Sequence, residues 1–395
     1  MKRFFSYTIL SFFLLLLPTG QASANNNDSI RLSLLTCAPG EEIYSLFGHT
    51  AIRYENSSQG IDVVFNYGLF SFNTPNFIFR FSLGETDYQL GVTDYEHFAA
   101  EYAFYGRSVW QQTLNLTDEE KTKLIQLLQE NYRPENRVYR YNFFYDNCAT
   151  RPRDKIEESI AGKVVYPTEP QDGSRTFRDI VHQYCKGHPW ARFGIDLCIG
   201  SEADQPITQR QMMFAPFYLM DAFDAAQIST DTYFRPLVKT NELIIDVTPE
   251  PDGSGWMPTP LQCSLLLFIL TAAATIYGIR RRTGLWGIDL VLFGIAGIVG
   301  CVLAFLALFS QHPAVSSNFL LLVFHPGQLL FLPYIIYCVR KGKKCWYLTL
   351  NLAVLTLFIV LFPVIPQRFD FAVVPLALVL LIRSASNLIV TSKKK

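Results

Sequence analysis

The feature that most constrains this chain is a series of long apolar stretches that begins after about residue 258. Each stretch is near the length that a helix needs to cross the hydrocarbon core of a bilayer, about 30 Å at 1.5 Å per residue. The sequence therefore predicts a C-terminal membrane domain at residues 261–390. Its five predicted spans are residues 261–279, 285–309, 319–339, 346–364 and 371–390.

The orientation of these spans follows from the charges at their ends. Lysine and arginine cluster at residues 280–282, 340–344 and 393–395, whereas the intervening loops, 310–318 and 365–370, contain only Arg368. Positive residues are retained on the cytoplasmic side. We therefore expect a multi-pass protein of a bacterial inner membrane, with its C-terminus in the cytoplasm and the region before the first span in the periplasm.

The N-terminus independently indicates the same orientation. Lys2 and Arg3 precede an apolar run at residues 9–17, and a small-x-small sequence ends at Ala24. This order is typical of a cleaved secretory signal peptide, and the run is short for an uncleaved membrane anchor. We predict a signal peptide at residues 1–24 and an exported domain at residues 25–255.

Composition narrows the possible ligands of the exported domain. Basic and acidic residues balance at 34 each, so the charge gives no indication of a nucleic-acid partner. Cys185 and Cys198 could form a disulfide outside the cytoplasm. No cysteine and histidine spacing indicates a metal site, and no cofactor is expected.

The exported domain is predicted to have an α+β fold. Strands are expected at residues 30–35, 49–54 and 63–67, with the segment 77–105 left unassigned because its pattern is mixed. Thr117 and Glu120 have capping-box spacing at the start of a helix that runs to about Tyr132. A further strand at 139–143 is expected to lead directly to Cys148, and a helix to follow it.

Cys148 is the predicted nucleophile. At the start of a helix, the dipole and the free amides favour a thiolate and can stabilise an oxyanion. His49, opening a strand, is the predicted base, and Asn66 on the neighbouring strand would orient it. The order of these three residues is that of a papain-like site in circularly permuted form. Singly, each residue is also compatible with a structural role: a buried thiol, a strand histidine and a turn-capping amide.

Several motifs resemble those of one family. The sequences Phe-Gly-His-Thr-Ala at residues 47–51 and Tyr-Asp-Asn-Cys-Ala-Thr-Arg at residues 145–151 are similar to those of Bacteroidetes envelope proteins with the Lnb N-terminal periplasmic domain. Such proteins also carry a C-terminal bundle of membrane helices. The resemblance implies lipoprotein N-acylation: an acyl chain passes from a phospholipid to the cysteine as a thioester. It then passes to the α-amine of a diacylglyceryl-cysteine lipoprotein.

Two other functions remain open from the sequence. An envelope cysteine amidase or peptidase would use the same Cys148 and His49 with water as acceptor, and a non-enzymatic membrane scaffold would need neither. For an acyltransferase we expect a groove from Cys148 toward the first membrane helix. His312, Asn318 and His325, near the outer side of the membrane domain, are candidates for assisting residues or for helix packing.

Overall fold

The computed structural model describes residues 29–71, 73, 75–167, 175–247 and 257–392. The predicted signal peptide at residues 1–24 lies outside the described residues. So do residues 248–256, before the first membrane helix.

The N-terminal part is built around a seven-stranded antiparallel sheet in the order β10-β5-β1-β2-β3-β4-β6. Short strands β7, β8 and β9 form a second, three-stranded sheet. The predicted strands β1, β2 and β3 are confirmed, each longer than expected by a few residues. The strands are β1 (Ile30–Cys37), β2 (His49–Asn56), β3 (Ile61–Leu69), β4 (Asp87–Asp94), β5 (Val109–Leu114), β6 (Val138–Arg140), β7 (Lys163–Val165), β8 (Gln227–Ser229), β9 (Phe234–Pro236) and β10 (Val238–Ile245).

Helices cover this sheet and share its core with the strands. The Thr117 side chain accepts from the Glu120 N–H while the Glu120 carboxylate accepts from the Thr117 N–H, so the predicted capping box is confirmed. Leu124 and Leu128 on that helix are fully buried against the sheet. The helices are α1 (Phe77–Leu83), α2 (Tyr95–Phe104), α3 (Asp118–Tyr132), α4 (Thr150–Ser159), α5 (Phe177–Tyr184), α6 (Pro189–Cys198), α7 (Gln209–Met212) and α8 (Pro216–Ala225).

The C-terminal part is helical and apolar. Three helices, α9 (Pro260–Arg281), α10 (Trp286–Phe309) and α14 (Val373–Ser392), are long and apolar enough to cross a membrane. The predicted span at residues 319–339 is broken: a 3-10 turn and α11 (Gly327–Leu330) meet α12 (Leu332–Lys341) at 74°. The predicted fourth span is α13 (Trp346–Leu361), with 16 residues. The described helices thus give three spans, or four if the bent pair is one span.

A buried ion pair joins three of the membrane helices. The guanidinium of Arg383 on α14 binds both carboxylate oxygens of Asp289 on α10, at 2.7 and 3.0 Å, and donates to Thr275 on α9 at 3.0 Å. Arg383 and Asp289 are 3 % and 1 % exposed. Each charge is therefore compensated within the protein, as a charge surrounded by lipid must be.

The two loops that carry few positive charges are those that contact the N-terminal domain. In the first, the Ala314 carbonyl accepts from Gly200 N–H at 2.7 Å. In the second, Arg368 donates to Asp179 at 2.6 Å and to Asp204 at 3.0 Å. Arg368 is thus neutralised by carboxylates of the domain, and the positively charged loops lie at the opposite end of the helices.

Two local predictions are wrong. The strand predicted at residues 139–143 ends at Arg140, and Asn142 bridges Asp146 to form a turn before Cys148. Cys185 and Cys198 do not form a disulfide, because both are free thiols.

Candidate functional site

His49 is held at the start of β2 by a glycine that no other residue could replace. Gly48 has a φ of +80°, and a Cβ there would lie 2.6 Å from the carbonyl oxygen of Cys37. This close approach pairs His49 with Cys37 on β1. On the other side of β2, Ala51 pairs with Asn66 of β3. The sheet register therefore brings the imidazole and the amide together, with 3.2 Å between His49 Nε2 and Asn66 Oδ1.

His49 is neutral at ordinary pH. Burial, together with the smaller effect of the nearby Arg107 guanidinium, lowers the pKa of its imidazole from 6.5 to about 4, against the hydrogen bond to Asn66. Because the amide oxygen can only accept, the imidazole proton is on Nε2. Nδ1 then carries the free lone pair, which is the state that a general base needs.

The loop before α4 positions Cys148, and Asn147 fixes this loop. Asn147 is 2 % exposed. Its amide donates to the carbonyls of Phe143 and Phe214, at 2.8 and 2.9 Å, and accepts from the N–H groups of Ala149 and Thr150, at 2.8 and 2.9 Å. It therefore caps α4 from three residues before Thr150, the first residue of the helix.

The structure brings Cys148 to the strands that carry His49 and Asn66. A Cβ built on Gly68, two residues after Asn66 on β3, would lie 3.6 Å from Cys148 Cβ. The sulfur also accepts a hydrogen bond from the backbone N–H of Thr50, the residue after His49. The three predicted site residues thus lie around one point at the ends of β2 and β3.

The resting Cys148 is a thiol, not the thiolate expected from its position near a helix start. Burial raises the pKa of Cys148 above 9.0, and this outweighs hydrogen bonds donated to the sulfur by Thr50 N–H, the Tyr141 hydroxyl and its own N–H. The helix begins at Thr150, so Cys148 precedes even the capping position, Ala149. Its helix-dipole stabilisation is correspondingly small, since that effect falls off within the first turn.

Two neighbours of the site were not singled out from the sequence. Tyr141 is half-buried among aromatic rings next to Cys148, and burial raises the pKa of its hydroxyl well above 10.0. Arg107 lies close enough for its charge to lower the pKa of both Cys148 and His49. The pattern predicted Tyr141 as an ordinary strand residue, and nothing local distinguishes Arg107.

The other candidate residues have structural partners elsewhere. His312 binds the carbonyl of Phe81 at 2.6 Å, and His325 contacts Asn351 at 3.3 Å. Asn318 donates to the Leu197 carbonyl at 2.7 Å. Within the described ranges, no group of three histidine, cysteine or acidic side chains could hold a metal ion.

Comparison with known families identifies both parts of the chain. Residues 20–182 match the Lnb N-terminal periplasmic domain, and residues 252–395 match the Lnb transmembrane domain. Together the two matches cover more than three quarters of the sequence. No curated protein and no solved structure matches the chain significantly. The two matched domains occur in the order expected of one family, and the chain belongs to the Lnb family.

Proposed function

We propose that this protein is a lipoprotein N-acyltransferase of the bacterial inner membrane, with Cys148 as nucleophile, His49 as base and Asn66 as the residue that orients His49. The observation that carries the proposal is that the bonded pair His49 and Asn66 lies on β2 and β3 beside the loop that holds Cys148. The donor is a phospholipid, and the acceptor is the α-amine of a diacylated lipoprotein.

The first half-reaction transfers the acyl group to the enzyme. His49 Nδ1 takes the proton of the Cys148 thiol as the sulfur attacks the ester carbonyl of the phospholipid. The tetrahedral intermediate then expels the glycerol oxygen, which takes the proton from His49 and leaves as a lysophospholipid. A neutral His49 beside a protonated Cys148 is consistent with this order, because the proton moves only when substrate is present.

The second half-reaction resolves the thioester. The lipoprotein amine attacks the carbonyl, His49 accepts the proton of the amine, and the Cys148 thiolate leaves and is reprotonated by His49. The Cys148 N–H and the Tyr141 hydroxyl, both beside the sulfur, are the donors that we assign to the oxyanion.

The membrane domain suits this chemistry because both substrates are lipids. Moving an acyl chain into water costs about 0.8 kcal/mol per methylene, and a domain docked on membrane helices avoids that cost. We propose that all five apolar segments lie in the membrane, with α13 and the bent pair as the two irregular spans. We also propose that the N-terminal domain is a circularly permuted papain-like fold, since the cysteine and the helix that begins after it follow the histidine strand.

Mass spectrometry of lipoprotein N-termini tests the proposal in cells. A strain in which Cys148→Ala replaces the wild-type protein should accumulate diacylated lipoproteins with a free α-amine, as a deletion strain should. The variant Cys185→Ala, which removes a buried thiol outside the site, should restore triacylation.

The rival functions give different results in the same experiment. Full triacylation in the deletion strain would refute the transferase and favour the amidase or peptidase. Full restoration by both Cys148→Ala and His49→Ala would leave only the scaffold.

A further inference from the structure

Helix α1 presents apolar side chains outward instead of burying them. None of its residues is buried, and Ile78 and Phe79 are 79 % and 59 % exposed. Its one cation, Arg80, is paired with Asp87 at 2.7 Å. A soluble domain would not expose such a face to water, whereas a helix lying in the bilayer interface buries it about 5–10 Å into the lipid.

The position of α1 against the membrane domain places this face at the outer leaflet. The Leu83 carbonyl accepts from Gln311 N–H at 2.8 Å, just beyond the outer end of α10. The Phe79 ring lies 5.9 Å from the ring of Phe305 on α10. Val302 lies seven residues before the outer end of α10. At 1.5 Å per residue it is therefore about 10 Å below the membrane surface, within the outer half of the hydrocarbon core.

A groove of about 930 Å³ lies between α1 and α10. Its size is near the upper end of the range of about 300–1,000 Å³ for ligand clefts. One wall is formed by Phe77, Ile78 and Phe79, and the other by Val302, Phe305 and Leu306. All six side chains are apolar, and the groove is open to the surrounding lipid.

A continuous series of aromatic contacts connects this groove to Cys148. Phe77, in the groove wall, stacks on Phe70 at 5.8 Å, and Phe70 contacts Tyr88 at 5.1 Å. Tyr88 stacks on Tyr141 at 4.2 Å, and the Tyr141 ring and the Cys148 side chain both lie 3.6 Å from a Cβ built on Gly68. An apolar surface therefore leads from the outer leaflet to the nucleophile.

We propose that the groove between α1 and α10 binds the acyl chain of the donor phospholipid and delivers its ester to Cys148. The transfer of the acyl chain to Cys148 rests on the proposed function. Binding of the phospholipid in the groove does not require catalysis. The donor is assigned, and not the diacylated acceptor, because the donor's acyl chain becomes attached to the sulfur and needs an apolar path from it. The acceptor brings a polar amine to the same point.

A crosslinking experiment tests occupancy without any reaction. Full-length Cys148→Ala protein is placed in vesicles of phosphatidylethanolamine in which a small fraction carries a diazirine near the end of one acyl chain. Peptides with residues 76–82 and 301–306 should be labelled several-fold more per residue than the equally lipid-exposed face of α9 around Ile269, which is 61 % exposed. Even labelling of both faces would overturn the proposal. Stronger labelling of the groove by a diazirine-bearing diacyl lipopeptide would overturn the assignment to the donor.

A pair of matched variants tests the contribution of the groove to the reaction. Val302→Trp fills the groove, whereas Ile298→Trp is one turn away on the same helix and outside the groove; the two positions are 52 % and 56 % exposed. If the indole displaces about two methylenes of the acyl chain, formation of acyl-Cys148 from a long-chain phospholipid should slow by roughly tenfold in Val302→Trp only.

A short donor, p-nitrophenyl acetate, separates the possible failures. It should acylate Cys148 at similar rates in both tryptophan variants, which shows that both fold. Equal rates of the two variants with the long-chain donor would refute the groove. If wild-type protein formed no acyl-cysteine from either donor, the proposed function would fail, and the crosslinking result would still decide the groove.

Discussion

The neutral, half-buried His49 should make the free energy of unfolding of the protein depend on pH in a defined window. In the unfolded chain the imidazole titrates near 6.5, and in the folded protein burial lowers its pKa to about 4. As the pH falls through this interval, His49 binds a proton in the unfolded state but not in the folded state. The stabilisation is complete above pH 6.5 and is lost progressively down to about pH 4.

The expected loss follows from the size of the shift. Each unit of pKa corresponds to 1.36 kcal/mol, so the lowered pKa of His49 corresponds to about 3 kcal/mol between pH 6.5 and 4. For a domain of this size, that is a decrease of roughly 6–12 °C in melting temperature. His49→Gln removes the titrating group, so its melting temperature should decrease less over the same interval.

The measurement is thermal unfolding of the full-length protein in detergent, followed at several pH values between 4 and 8. His97→Gln is the matched control, because His97 is a histidine of the same domain whose side chain is 82 % exposed. Its curve should run parallel to that of the wild type. Parallel curves for the wild type and His49→Gln would refute the reasoning, since they would mean that His49 titrates equally in both states.

Two further predictions concern the loop that holds the nucleophile. Alkylation of Cys148 by iodoacetamide, followed by peptide mass spectrometry, should show one rising limb above pH 9.0 and no reactive plateau between pH 5 and 8, because burial raises the pKa of the thiol. A plateau in that range would instead demonstrate a resting thiolate–imidazolium pair. Asn147→Ala should lower the free energy of unfolding by about 3 kcal/mol or more, because it removes four buried hydrogen bonds and the cap of α4. Asn115→Ala, which removes one exposed bond to the Pro236 carbonyl, should cost under about 1 kcal/mol in the same chemical unfolding assay, and equal losses would contradict the structural role of Asn147.

Local signals in the sequence predicted much of the framework of the site. The capping box at Thr117 and Glu120 needs only three residues of chain, and the strands of His49 and Asn66 alternate clearly because one face of the sheet is buried. The approach of His49 to Asn66 then follows from the pairing of two neighbouring strands. Their roles in catalysis stay predictions.

The unassigned segment 77–105 could not be interpreted because part of it does not pack on its own domain. Exposed Ile78 and Phe79 give α1 an apolar face that is directed at the membrane domain, so its pattern reflects contacts with residues more than 200 positions later. Because α1 contacts α10, the groove lies against this second membrane helix. It had been expected beside the first membrane helix.

Hydropathy also could not distinguish a straight span from a bent one. The predicted third span has the composition of a membrane helix, but its axis turns by 74°. A local signal was present in Pro333, which lies in the first turn of α12 directly after the bend. The protonation state of Cys148 could not be predicted for a different reason. Its thiol is desolvated by side chains from distant parts of the sequence, and the residues next to Cys148 in the sequence do not reveal them.

The ion pair between Asp289 and Arg383 imposes an order on biosynthesis. Asp289 leaves the ribosome 94 residues before the guanidinium that neutralises it, so α10 must enter the bilayer with its carboxylate unpaired. A lone aspartate at the centre of a membrane helix costs about 2.5–3.5 kcal/mol on insertion scales, and less near an end, where Asp289 lies. The bundle can therefore close only when α14 arrives. A chain truncated before residue 373 lacks Arg383 and would retain the uncompensated carboxylate of Asp289. That unpaired charge distinguishes the truncated chain from the finished protein for quality-control proteases of the membrane.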